Sequence, residues 1–218
     1  MDSLLFLLLA LAHLALLVWG LRLAARSGWR AADLPVLVVA ALVYDNGMIA
    51  VGRAIGEGAL LEGLNAGRFW LHAFVTPLLV IWSWDAVRRA GSPWAAKARA
   101  RWAAIGLALA LVAIELVTVV AGLELRVRDE HGALSYTSDH AGGPPLMVLV
   151  VAAVLVIAGA IVWRRQSWPW LLAGAVLMAL GSGLPIPVPS AAATNVFEVL
   201  LLTGIIATTA RQDALERR

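Results

Sequence analysis

Three carboxylic acids, Asp45, Glu115 and Glu198, stand in stretches that are otherwise apolar. Asp45 falls within ALVYDNGMIAVGR (Ala41–Arg53), where Tyr44, Asn46 and Arg53 accompany it. Arg68, His72 and Thr76 recur at intervals of four, and Asn195 and Glu198 lie three apart. Such spacings put side chains on one face of a helix. A carboxyl group buried without a basic partner favours its neutral form, and an acid held neutral until needed is a general acid. The residue types therefore supply an acid-base site. Asp45 or Glu198 donates the proton, Glu115 is a second carboxylate, and His72 and Asn46 orient the acid. Arg53 and Arg68 set its charge state or bind a polar headgroup, with Tyr44, Trp70 and Asn195 as further lining groups. The blander use of the same residues is a helix lock, in which Asp45 pairs with Arg53 or Arg68 and His72 makes an interhelical hydrogen bond.

The elements that must position these groups are transmembrane helices. Of the 218 residues, 61% are hydrophobic and 14% charged, against about a quarter charged in soluble domains. Mean hydropathy is +0.85. Windows of about 20 residues, the length that crosses a bilayer, give apolar spans at 3–25, 34–53, 67–87, 102–123, 144–163, 169–187 and 194–210. The fold class expected is all-α, a polytopic bundle of seven transmembrane helices forming a single domain over residues 1–218. The first span lacks the basic flank of a signal peptide and reads as a retained helix. The sixth meets two glycines and three prolines in GSGLPIPVP, which end it early.

Orientation follows from Lys and Arg, which short cytoplasmic loops retain. Arg22, Arg26 and Arg30, then Arg88, Arg89, Lys97, Arg99 and Arg101, then Arg164 and Arg165, and finally Arg211, Arg217 and Arg218 fall on one side; Arg53, Arg68, Arg126 and Arg128 fall on the other. The N-terminus is expected outside and the C-terminus inside, in the plasma membrane of a bacterium. This balance accounts for the basic composition without a nucleic-acid partner. Threaded this way, Asp45, His72, Glu115 and Glu198 share the outer leaflet. An ionisable group at mid-bilayer costs about 2.5–3.5 kcal/mol on insertion scales and normally faces the bundle interior. An outward-opening pocket built from the second, third, fourth and seventh spans is expected.

Absences narrow the chemistry. There is no cysteine, and the only lysine, Lys97, lies in a basic loop, so no retinal Schiff base forms. Aspartate-rich diphosphate motifs, Walker sequences, zincin pairs and nucleophile elbows are missing. No cofactor is expected. Histidines at 13, 72, 131 and 140 are too dispersed for a histidine box, and His13 with His72 lacks the spacing of a haem pair. The loop RDEHGALSYTSDH offers Asp129, Glu130, His131, Asp139 and His140 but no metal-ligand spacing, and reads as a solvated hairpin-like cap with turns at Gly132, Gly142 and Gly143. Nine of the ten tryptophans, all but Trp70, map to the inner interface as an aromatic belt.

With Asp45 in the second span and Glu198 in the seventh, the layout resembles the seven-helix integral-membrane terpene cyclases of fungal meroterpenoid pathways and their bacterial relatives. That resemblance implies protonation of an epoxide or alkene of an isoprenoid by intramembrane acids. The lysoplasmalogenases are similar in size and chemistry but match less. The expected function is general acid catalysis on an amphiphilic lipid or isoprenoid in an outer-leaflet pocket. The rival readings are a carrier or receptor that binds a cation or small solute through the same carboxylates, and an assembly subunit whose polar stripe is a seam.

Overall fold

The computed structural model describes residues 2–138, 146–183, 190 and 192–217. It is mostly helical, at 80%, with seven helical spans of which six are long and apolar enough to cross a membrane. The helices are α1 (Asp2–Ser27), α2 (Pro35–Ile55), α3 (Ala59–Val75), α4 (Leu78–Arg89), α5 (Ala98–Glu115), α6 (Leu146–Gln166), α7 (Trp170–Gly183) and α8 (Ala193–Glu216). α3 and α4 form one bent span. Pro77 has no N–H to continue the ladder, and the chain passes it with tightened turns, Leu79 N donating to Thr76 O (3.1 Å) and Val80 N to Pro77 O (3.0 Å).

Four expectations are corrected. The third span begins at Ala59, not 67, so Glu62 and Asn65 belong to a helix and not to a loop. α8 runs to Glu216, beyond the expected 210, because its polar end is bound by partners and not released to water. The fold is not wholly helical: β1 (Leu125–Glu130) and β2 (Ala133–Ser138) pair antiparallel, Arg128 opposite Ser135. Their two-residue turn, His131-Gly132, has positive φ at both positions (51° and 88°), the geometry that matches the twist of a hairpin. Finally, the cap is docked as well as solvated. β1 is exposed, whereas Ala133, Ser135 and Tyr136 of β2 are buried. Asp139, His140, Gly142, Gly143 and the PIPVP run, named in the sequence, lie outside the described residues.

Close approach explains the docking. A Cβ on Gly52 of α2 would lie 1.8 Å from Leu134 O, so only glycine lets the hairpin rest there. Tyr136 Oη accepts from Gly58 N (3.1 Å), Asn65 Oδ1 accepts from Tyr136 N (3.2 Å), and Ser3 Oγ donates to Gly132 O (2.6 Å). The hairpin thus ties together the starts of α1 and α3 and the end of α2. At the far side, glycines bring α6, α7 and α8 together: Cβ atoms on Gly159 and Gly174 would meet the backbones of Leu172 (2.7 Å) and Leu201 (3.1 Å). Small residues permit such contact where hydrophobic exclusion cannot drive it.

The end opposite the hairpin is held by polar groups. Arg89 and Asp213, 3% and 2% exposed, are paired; Arg89 Nε also donates to Glu216 (2.8 Å) and Arg30 Nη2 to Asp213 (3.0 Å). Gln212 Nε2 donates to Ala86 O (2.9 Å), and Trp82 Nε1 to Thr209 Oγ1 (3.1 Å). Trp82, 1% exposed, is therefore a core residue and not part of an interfacial belt, whereas Trp29, Trp102 and Trp170 at the same end are exposed.

Candidate functional site

α2, α3 and α8 bring Asp45, Arg68, His72 and Glu198 to one chamber of ≈ 130 Å³. Arg68, His72 and Thr76 all reach it, as their shared helix face requires. The remaining wall is aliphatic: Leu42 and Leu79, Val151 and Leu155 of α6, Ala175 and Met178 of α7, and Leu201. His72 is an exposed residue even though it lines the chamber, so the chamber reaches the outer surface of the bundle beside α3.

Arg68 Nε donates to Asp45 Oδ1 (2.7 Å) and Arg68 Nη1 to Asn65 Oδ1 (2.8 Å), and both ion-pair side chains are mostly buried, at 17% and 23% exposure. Asn65 is held by its own donation to Leu61 O (2.7 Å). The hairpin therefore reaches Arg68 through Asn65. Glu198 differs from Asp45 in having no such partner: its Oε2 is closed off from solvent and unbonded. Asp45 and Arg68 lie within electrostatic reach of both Glu198 and His72. His72 Nδ1 faces Thr76 Oγ1 at 3.2 Å.

On its other side the ion pair borders a second cavity of ≈ 140 Å³, lined under the hairpin by Asp2, Arg128, Glu130, Ser135, Thr137 and Asn195 among others. Asp45 and Arg68 are the two residues common to both cavities. They form a charged partition between a polar vestibule and an apolar chamber.

The other expected site residues fall elsewhere. Asn46 is fully buried, donates to Leu42 O (2.9 Å) and accepts from Asn195 Nδ2 (2.9 Å), which joins α2 to α8 but leaves it bonded to neither carboxylate. Tyr44 Oη donates to Leu64 O (2.7 Å), locking α2 to α3 away from the chamber. Arg53 is claimed by the hairpin, pairing with Asp129 and donating to Gly132 O (2.9 Å). Trp70 is exposed and stacked on Phe74, 6.0 Å between centroids, on the outer face of α3. Glu115 is absent from the chamber wall, because α5 is the most weakly embedded span: 17% of its apolar window is buried, against 28–39% for the other five. The expected fourth-span contribution is instead made by α6 and α7.

Sequence reasoning did not place Asp2, Asn65 or the hairpin's Ser135 and Thr137 at the site. His13, considered in the sequence only as a haem or histidine-box ligand, is fully buried on α1 with Nδ1 on Leu9 O (2.9 Å), Nε2 unpartnered, and Asp45 within electrostatic reach. The signals that point to the α6–α7 wall are Gly159 and Gly174. Among the described residues no group of three His, Asp or Glu is arranged to hold a metal.

By the length and composition of its helices this is a multi-pass membrane protein, with a site defined by an ion pair between two cavities. No protein-family model, curated protein or solved structure matches the chain.

Proposed function

We propose that the protein is an intramembrane enzyme that protonates an amphiphilic lipid, with an isoprenoid alkene or epoxide as the substrate class. The observation that carries this reading is Glu198: a carboxyl group with one oxygen unpartnered, in a chamber that it shares with Asp45, Arg68, His72 and Thr76 and whose remaining walls are aliphatic. A chamber of ≈ 130 Å³ is near the size of the dry cavity that admits benzene (about 150 Å³). It holds one branched five-carbon unit, while the rest of the lipid extends past His72 into the bilayer. Glu198 donates the proton, and Asp45, ion-paired with Arg68 at the partition, presents a carboxylate to the cationic centre as it develops. His72, beside both, accepts a proton when the cation collapses. Glu115 and Arg53 have no part. The hairpin end faces outward and the basic end the cytoplasm of a bacterial cell, in keeping with the distribution of Lys and Arg.

Purified protein presented with isoprenoid lipids tests this. Glu198→Gln and Asp45→Asn should each lose turnover while the thermal midpoint stays within a few degrees; full activity in both sinks the reading.

One observation favours a second reading. The Asp45–Arg68 partition touches both cavities, the arrangement expected of a relay that passes a proton or cation from the vestibule inward. Liposome flux that depends on Asp45 and Glu198, without lipid turnover, selects the carrier.

A further inference from the structure

Far from that chamber, at the end carrying the Arg89–Asp213 network, two other cavities adjoin. One, of ≈ 590 Å³, is polar and bordered by Arg30, Arg88, Lys97 and Arg101, with Asp85 and Glu216. The other, of ≈ 640 Å³, is an apolar groove between α4, α5 and α6, floored by Val80, Ala104, Leu107, Val154 and Ile157. Trp84 lines both and joins them. Its indole is fixed, with Nε1 donating to Ala95 O (2.9 Å).

The charges around the joint are unequal in their pairing. Arg88 is held by Asp85, and Arg30 by Asp213 and Glu216. Among the described residues Lys97, Arg99 and Arg101 meet no acidic side chain; Arg101 lies over the exposed Trp102 ring, 5.1 Å from its centroid. These three cations sit at the start of α5, which has no acid in its first turn and no side-chain cap. The positive end of a helix dipole is an unfavourable place for cations. An anion there relieves both. Retention of positive charge on one membrane side accounts for the sign of these residues but not for the groove beside them.

The groove carries its own unmet need. Ser83, 1% exposed, has an Oγ with no hydrogen-bond partner, and it lines this groove. A hydroxyl so placed has a hydrogen to offer a carbonyl oxygen that enters the groove. The sequence of chemistry along the surface is thus unpaired cations, then an indole, then a hydroxyl, then a long apolar trough. That order matches phosphate, glycerol ester and acyl chain.

We propose that this surface binds one anionic phospholipid, with its phosphate at Lys97 and Arg101, an ester carbonyl on Ser83 Oγ, and one acyl chain in the α4–α5–α6 groove. The site is independent of the proposed catalytic chamber. It fills the space left by the weak embedding of α5.

Native mass spectrometry of the full chain, titrated with phosphatidylglycerol and with phosphatidylcholine, tests it. One phosphatidylglycerol should be retained per chain, at least tenfold more tightly than phosphatidylcholine. A basic residue near a membrane surface contributes about fivefold to anionic-lipid binding, so K97Q/R99Q/R101Q should weaken retention on the order of a hundredfold. Ala103→Trp, which fills the groove from its exposed rim with all cations intact, should abolish the one-to-one species. Arg22→Gln/Arg26→Gln removes cations of α1 outside both cavities and should change retention less than twofold. The proposal is overturned if phosphatidylglycerol shows no preference, if the α1 variant loses as much as the α5 variant, or if Ala103→Trp binds as the parent does.

Discussion

Replacing Arg68 by Met leaves Asp45 facing an apolar chamber without its cation. Both side chains are mostly buried, at 17% and 23% exposure, with a 2.7 Å contact. Fully buried pairs broken by loss of one partner cost about 3–5 kcal/mol, and exposed ones about 0.2–1 kcal/mol. The partial exposure here sets the loss at about 2 kcal/mol. For a chain of this size about 1 kcal/mol moves the thermal midpoint by about 2–4 °C, so R68M should fall by about 4–8 °C. Asp45→Asn keeps an acceptor for Arg68 and should lose less. In Asp45→Asn/Arg68→Met the orphaned charge is gone, and more than half of the R68M loss should return. The assay is thermal unfolding of all four proteins in one detergent at one scan rate, with Asn65 and Tyr136 left untouched so that the hairpin contact survives. Losses that add within about 0.5 kcal/mol would mean that the pair is energetically a surface contact, and would refute its role as a partition between cavities.

Three further outcomes follow from other contacts. Gly52→Ala places a methyl group 1.8 Å from Leu134 O, so the hairpin must lift. Overpacking of this kind costs about 1–3 kcal/mol or more, and trypsin should then cut at Arg126 or Arg128 faster than in the parent. Arg89→Met strips the 2%-exposed Asp213 of one of its two arginines and should cost about 3 kcal/mol, whereas D213N/R89M should be milder, both read as thermal midpoints. The guanidinium of Arg128, donating to Glu130 (2.7 Å), holds this exposed carboxyl below the usual carboxylate range. A depressed folded value stabilises above the unfolded pKa and is lost as pH falls through the folded one; a carbon-13 titration should place the Glu130 midpoint lower in the parent than in Arg128→Gln.

The helical spans were legible because each needs only length and apolarity, and those are local properties of the chain. The four-residue spacing of Arg68, His72 and Thr76 likewise named a face correctly, since helix geometry leaves no choice. Depth proved a weaker guide than face. Glu115 lies in an apolar stretch as Glu198 does, but α5 packs loosely and keeps Glu115 off the chamber, whereas the Gly174 contact with Leu201 draws α7 against α8 and walls in Glu198. Nothing in residue type separates the two glutamates. Arg53 and Arg68 were equally eligible partners for Asp45, and the choice was made by the hairpin, which engages Arg53 through Asp129 and steadies Arg68 through Asn65. That hairpin docks by backbone approach at Gly52, a contact that no hydropathy window registers. The end of α8 was placed too early because Gln212 and Asp213 look solvated in sequence and are buried in fact.

The central claim is that the chamber, and not intramembrane acidity in general, makes Glu198 the proton donor. The most direct measurement compares isoprenoid turnover by Glu198→Gln and Glu115→Gln in matched preparations with equal thermal midpoints. A positioned general acid contributes about 10²–10⁴-fold, so Glu198→Gln should fall by that much while Glu115→Gln stays within twofold of the parent. Equal rates in the two variants, or a loss confined to Glu115→Gln, would contradict it.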